Sequence, residues 1–166
     1  MEQWALKMKY SVLFVCTGNI CRSPTAEGVF RHLVGQAGLQ DRIRIDSAGT
    51  HDYHVGSPPD ERSCRHASLR GYDLTDLRAR QVRALDFERF DLILAMDRDN
   101  LALLQEDCPP RHGHKLRLLM EFAPDGLGDV VADPYHGGAR GFETALDHIE
   151  AAGAGLLQHI RGKLNP

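Results

Sequence analysis

The sequence predicts a single three-layer α/β domain, an open four-stranded parallel sheet with helices on both faces. Three observations lead there. Short, wholly apolar runs alternate along the 166 residues with segments that carry a 3.6-residue apolar period. Such alternation implies right-handed βαβ crossovers, and hence parallel strands. The length suits one domain with a core shared among three layers, and no repeat, low-complexity tract or linker divides it.

Each element has its own signature. Within Met1–Lys9 only Trp4, Ala5 and Leu6 could form an apolar centre, too few for a signal segment. Residues 1–9 therefore read as a short frayed leader and 10–166 as the domain. Val12-Leu13-Phe14-Val15 is apolar throughout, as expected of a central strand covered on both faces. From Pro24 onward, Ala26, Val29, Phe30, Leu33 and Val34 form the stripe of an amphipathic helix that ends near Gly35–Gly38. Arg42-Ile43-Arg44-Ile45-Asp46 alternates, which suits a strand nearer the sheet edge. Ser57-Pro58-Pro59 announces a second helix, and Gly71 terminates it. Phe90–Met96 reads as the third strand, with Asp97 placed to cap the next helix and Pro109-Pro110 to end it. Lys115–Met120 is the fourth strand. Asp125–Gly141 is a long loop rich in Gly, Asp and Pro, after which Phe142, Leu146, Ile149, Gly153, Leu156 and Ile160 mark one face of a C-terminal helix.

Composition narrows the function. Charged residues make up 26% of the chain and the formal net charge is -3, so no basic field points to nucleic acid. No apolar stretch approaches the roughly 20 residues that span a bilayer, so membrane insertion is not expected. The four cysteines, Cys16, Cys21, Cys64 and Cys108, lack the density and signal peptide of a secreted disulfide framework. Nor do they have zinc-site spacing, and His112-Gly113-His114 sits in a turn-forming stretch. The expected compartment is the cytoplasm, with no metal or cofactor.

The chemistry concentrates in Cys16-Thr17-Gly18-Asn19-Ile20-Cys21-Arg22-Ser23-Pro24, between the first strand and the first helix. In open parallel sheets ligands bind beyond the carboxyl ends of strands, and this loop holds that place. Its spacing lets five residues curl around one phosphate-sized anion, with the Cys16 sulfur beneath. The helix N-terminus, the converging loop N–H groups and Arg22 would all favour a thiolate there, the strongly nucleophilic form of cysteine. Gly18 and Asn19 are the types that best tolerate the positive φ of a tight ring. Ser23 suits an N-cap with Pro24 at the first helical position, or its hydroxyl could instead donate to the Cys16 sulfur. No Gly-Lys-Ser/Thr or GxGxxG follows, so the loop is neither kind of nucleotide motif. A thiolate attacking phosphorus needs an acid for the departing oxygen. Asp133, in Asp133-Pro134-Tyr135, is a candidate on a glycine-flanked loop, and Asp125 and Asp129 compete with it on composition.

From Tyr10 to about Leu157 the chain resembles the low-molecular-weight protein tyrosine phosphatase family. Val15-Cys16-x-Gly18-Asn19-x-Cys21-Arg22-Ser23-Pro24 is similar to that family's phosphate loop. Asp46-Ser47-Ala48-Gly49-Thr50, Ala79-Arg80-Gln81, Met96-Asp97-x-x-Asn100 and Asp133-Pro134-Tyr135 follow in the family's order. The resemblance implies a phosphotyrosine hydrolase working through a cysteinyl-phosphate. It makes Cys16 the nucleophile, Arg22 the phosphate clamp and Asp133, chosen over the other loop aspartates, the general acid. Thr17, Gly18, Asn19, Ile20 and Cys21 would form the phosphate loop, with Ser23 stabilising the thiolate and Ser47 bonding Asn19. Tyr53 and Tyr135 would wall the pocket. Phosphotyrosine proteins, and a tyrosine kinase as in bacterial relatives, are the implied partners. Two positions depart from the family. Leu77 stands where members often have a histidine, which removes or replaces one support of the phosphate loop. His136 stands where many have a second tyrosine.

Two rival readings compete. An arsenate reductase of similar fold also uses a Cys-x5-Arg loop, but needs further cysteines to pass a disulfide outward, and Cys64 and Cys108 are far apart in sequence. A silent phosphate-binding module would need neither Cys16 nor Asp133. Cys21 carries one more expectation: lying in the same curl, it could resolve an oxidised Cys16 into a disulfide, or merely fill space.

Overall fold

The computed structural model describes residues 9–165. The leader expected before Tyr10 lies, apart from Lys9, outside those residues. Four parallel strands, β1 (Tyr10–Cys16), β2 (Ile43–Gly49), β3 (Leu92–Ala95) and β4 (Leu116–Leu118), stand in the order β2-β1-β3-β4. The apolar run thus lies at the centre and the alternating one at an edge, as their patterns imply. Among the described residues four α-helices lie between the strands, α1 (Arg22–Gln36), α2 (Glu61–Leu69), α3 (Ala84–Arg89) and α4 (Arg98–Asp107), and α5 (Ala139–Leu164) follows β4.

Successive residues of β1 point to opposite faces and enter two separate cores. Val12 and Phe14 pack with Val29 and Phe30 of α1 and with Leu146, Ile149 and Leu156 of α5. Leu13 and Val15 pack with Phe87 of α3 and Leu104 of α4. The three expected layers are present. The stripe expected on the C-terminal helix is buried along its length, from Phe142 to Ile160.

Several boundaries differ, each for a local reason. β2 runs on to Gly49 because it pairs with β1 residue by residue as far as Cys16. α1 starts at Arg22, with Cys21 as a cap that makes no side-chain bond. Ser23 is therefore not the N-cap. α2 starts at Glu61, since a residue before proline avoids the helical region and Asp60 accepts from the N–H groups of Arg62 and Ser63. α3 lacks a sequence signature; Asp86 caps it by accepting from Arg83 N at 2.7 Å. β3 is shortened at its start because Phe90 N still bonds Asp86 at the end of α3. β4 is shortened because the Glu121 carboxylate accepts from Leu118 N and turns the chain into a 3-10 helix over Leu119–Phe122. α5 begins at Ala139 and so takes in the last three residues of the stretch expected to be loop.

Candidate active site

The C-terminal end of β1, the loop over residues 17–21 and the start of α1 form one continuous cup. Asn19 has φ 58°, the sole positive φ of a non-glycine residue among those described. Its side chain explains how that conformation is held. Asn19 Oδ1 accepts from Arg80 N at 3.0 Å, while Nδ2 donates to Ser23 Oγ at 2.7 Å and to Ser47 Oγ at 3.0 Å. Gly18 does not adopt the positive φ expected of it. Its missing side chain serves contact instead: a Cβ there would lie 2.9 Å from His54 Cδ2. At Gly49 a Cβ would lie 2.7 Å from the Thr17 carbonyl oxygen, so glycine lets the end of β2 lie against the loop. Thr50 N then donates to the Cys16 carbonyl and His51 N to that of Thr17.

Cys16 is 3% exposed, with its sulfur 3.0 Å from Ser23 Oγ. Ser23 Oγ already accepts from Asn19, which leaves its own proton free to point at the sulfur. Arg22 is almost wholly buried, yet its guanidinium is fully oriented. Nη1 donates to Asp97 Oδ2 at 2.6 Å and to the Val131 carbonyl at 3.0 Å. Nη2 lies 3.4 Å from Thr17 Oγ1 and 3.6 Å from Asp133 Oδ2. Asp97 thus does two things, because its other oxygen caps α4 at Asn100 N. Only the cap is legible in the sequence.

These groups enclose a cavity of about 210 Å³. Cys16, Thr17, Gly18, Ile20, Cys21 and Arg22 form its floor, and Tyr53, His54, Asp133, Tyr135 and His136 its walls. Asp133 Oδ1 accepts from Tyr135 N at 3.0 Å, so Oδ2 is the oxygen left toward Arg22. Tyr53 is exposed but stacked on His51 at 4.8 Å, and Tyr135 meets His136 edge-on at 4.9 Å. Among the residues expected at the site, only Asn19, Ser23 and Ser47 stay off the cavity wall, in the layer beneath. Asp125 and Asp129 do not line it.

Leu77 packs against the core, and Ser47 Oγ donates to Glu27 Oε1 at 2.7 Å. Arg31, one turn along α1, closes on the other Glu27 oxygen at 2.5 Å. Burial pushes the Glu27 carboxyl upward, while Ser47 and Arg31 pull it back. Glu27 has no signal of its own: a glutamate in the second turn of an amphipathic helix reads as solvated. Burial likewise pushes the Cys21 thiol up to about 12, against a hydrogen bond from Ser63. Cys64 and Cys108 are free and do not line the cavity.

The family model for low molecular weight phosphotyrosine protein phosphatase matches residues 11–165. The chain belongs to that family. A low molecular weight protein-tyrosine-phosphatase of Streptomyces coelicolor is 46% identical over 157 residues, covering 93% of this chain and 95% of its own. A protein tyrosine phosphatase structure from Entamoeba histolytica superposes with a TM-score of 0.91 at 37% identity, covering 93% of this phosphatase-family chain and 99% of its own. The crystal structure of YfkJ from Bacillus subtilis gives 0.88 at 36% identity, over 93% and 97% of the two chains.

Proposed function

We propose that Cys16, Arg22 and Asp133 hydrolyse phosphotyrosine in proteins, and small aryl phosphates, in two steps. In the first, the Cys16 thiolate attacks phosphorus in line. The bond from phosphorus to the phenolic oxygen breaks, and Asp133 gives its proton to that oxygen as tyrosine leaves. In the second, Asp133 takes a proton from water, the water oxygen bonds to phosphorus and the thiolate departs with inorganic phosphate released. Loop N–H groups and Arg22 hold the three equatorial oxygens, where charge sits in a loose transition state. Ser23 stabilises the sulfur anion before the first step and after the second. The aromatic ring of the substrate lies between Tyr53 and Tyr135.

One observation carries this reading: sulfur, guanidinium and carboxylate converge in a single cavity, with the carboxylate oxygen 3.6 Å from Arg22 Nη2. The protein itself supplies the positive charge that the transferring phosphoryl group requires. No helix among the described residues is long and apolar enough to cross a membrane. Four free cysteines support a cytoplasmic enzyme, and a tyrosine kinase is a fitting source of substrate. Neither Cys64 nor Cys108 is placed to carry a disulfide outward from Cys16, which disfavours arsenate reduction. Release of inorganic phosphate from a phosphotyrosine peptide tests the assignment. Arsenate-dependent thiol oxidation in place of phosphate release would overturn it, and so would tight phosphate binding without turnover.

A further inference from the structure

We propose that Arg80 is a positioning residue for the Cys16 thiolate, acting through Asn19 and Ser23 without reaching the cavity. The inference rests on the reading of Cys16 as nucleophile.

These residues form a chain in which each hydrogen has one direction. A backbone N–H can only donate, so Arg80 N requires the oxygen of the Asn19 amide, at 3.0 Å. That choice turns Nδ2 toward Ser23 and Ser47, and both hydroxyl oxygens must accept from it. Ser47 is left with one proton, which goes to Glu27. Ser23 is left with one proton as well, and the sulfur of Cys16, 3.0 Å away, is a nearer acceptor than the Ala48 carbonyl at 3.4 Å. Were the Asn19 amide reversed, its oxygen would accept from Ser23, and the thiolate would lose its donor.

The Arg80 N–H is itself held by two kinds of tie. Backbone bonds run from Gly49 N to Arg80 O at 2.8 Å and from Val82 N to Gly49 O at 2.9 Å. The side chain supplies the rest, because its guanidinium forks between two carboxylates. Nε and Nη2 donate to Asp46 Oδ2 at 3.2 and 3.0 Å, while Nη1 and Nη2 donate to Asp86 at 3.0 and 3.1 Å. Asp46 immediately precedes Ser47 on β2, and Asp86 caps α3. The fork therefore ties the donor of Asn19 to the strand that carries its second acceptor. Planar bidentate geometry of this kind is what arginine provides and lysine does not.

The test reads the sulfur directly, by the rate at which iodoacetamide alkylates Cys16 at pH 6, with the site mapped by mass spectrometry. The other three thiols are pushed up by burial and stay silent. Ser23→Ala should slow alkylation about tenfold or more, the worth of a hydrogen bond to a charged group. Arg80→Met should slow it about three- to tenfold in the native background, and less than twofold when Ser23→Ala is already present. An unchanged rate in Arg80→Met overturns the proposal, as do effects that multiply in the double variant. Arg80→Met leaves the buried Asp86 without its cationic partner and could unfold the chain. Asp46→Asn releases the fork from its exposed side and should give the same dependence on Ser23, with a smaller slowing. Arg70→Gln removes a larger ion cluster, with Glu143, Asp147 and Glu150, in which neither Asn19 nor its partners take part. It should lower Tm and leave the alkylation rate unchanged. A native Cys16 no faster than a free thiol would instead overturn the reading of the nucleophile, a separate result.

Discussion

Replacing Asp133 by alanine should change two quantities in opposite directions. The first is chemistry. A positioned acid is worth about 10²–10⁴-fold when the leaving oxygen is basic, so kcat for phenyl phosphate or phosphotyrosine should fall by about 10²–10³. With a nitrophenyl leaving group, which departs without a proton, the loss should be under about tenfold. The second is binding. The carboxylate lies 3.6 Å from Arg22 Nη2 and offsets part of the charge with which Arg22, in the proposed mechanism, holds phosphate. In a medium of effective dielectric between about 20 and 80, that separation gives about 1–5 kcal/mol. The Asp133 side chain is 48% exposed, so solvent screening selects the low end, about 1 kcal/mol. Inorganic phosphate should therefore inhibit Asp133→Ala about fivefold more tightly than the native enzyme. The assay is a series of aryl phosphates of graded leaving-group basicity, with phosphate inhibition measured in parallel. An equal loss of kcat along the whole series would refute general acid catalysis by Asp133, and unchanged phosphate inhibition would refute the electrostatic part.

Three further outcomes follow from the same geometry. Asp97→Asn keeps the cap of α4 but removes the charge opposite the buried Arg22. Because Asp97 is itself partly exposed and Val131 O remains as an acceptor, the loss of stability should be about 1–2 kcal/mol, less than for a fully buried pair, with KM rising as the guanidinium loosens; unchanged Tm and KM would count against the clamp. Glu27 has a carboxyl raised by burial, so the folded state binds its proton more tightly than the unfolded chain. Its contribution to stability is present at low pH and lost as pH rises from about 4.5 through the folded value, and Glu27→Gln should flatten that decline in Tm against pH. Cys21, held at about 12, has little thiolate at neutral pH. Closure of a Cys16–Cys21 disulfide after peroxide should accelerate about tenfold per pH unit, and a rate independent of pH, or equal dithiol recovery in Cys21→Ser, would leave Cys21 a packing residue.

Much of this was legible in the sequence because it depends on local pattern. An apolar run bounded by a loop fixed β1, and a thiol, a glycine, an asparagine and an arginine at set spacing marked the cup that follows it. What stayed hidden depends on residues distant in sequence. Arg80 meets Asn19 across 61 positions, and Glu27, though on the helix that follows the loop, is tied to Asn19 only through Ser47 of β2. Asp97 was readable as a cap because capping is local, while its bond to Arg22 crosses 75 positions. Gly18 shows the converse error. Its type suggested backbone freedom, whereas its use is to make room for the His54 ring. Ser23 offered two local readings, and the structure favours the sulfur over the helix end.

The most direct measurement is a rapid quench of the native enzyme with a phosphotyrosine peptide labelled on phosphorus, followed by peptide mapping. Label on the Cys16 sulfur, formed with a burst of dephosphorylated peptide and absent from a Cys16→Ser preparation that still binds phosphate, is the predicted result. Label on another side chain would contradict the mechanism. So would turnover that survives in a verified Cys16→Ser protein.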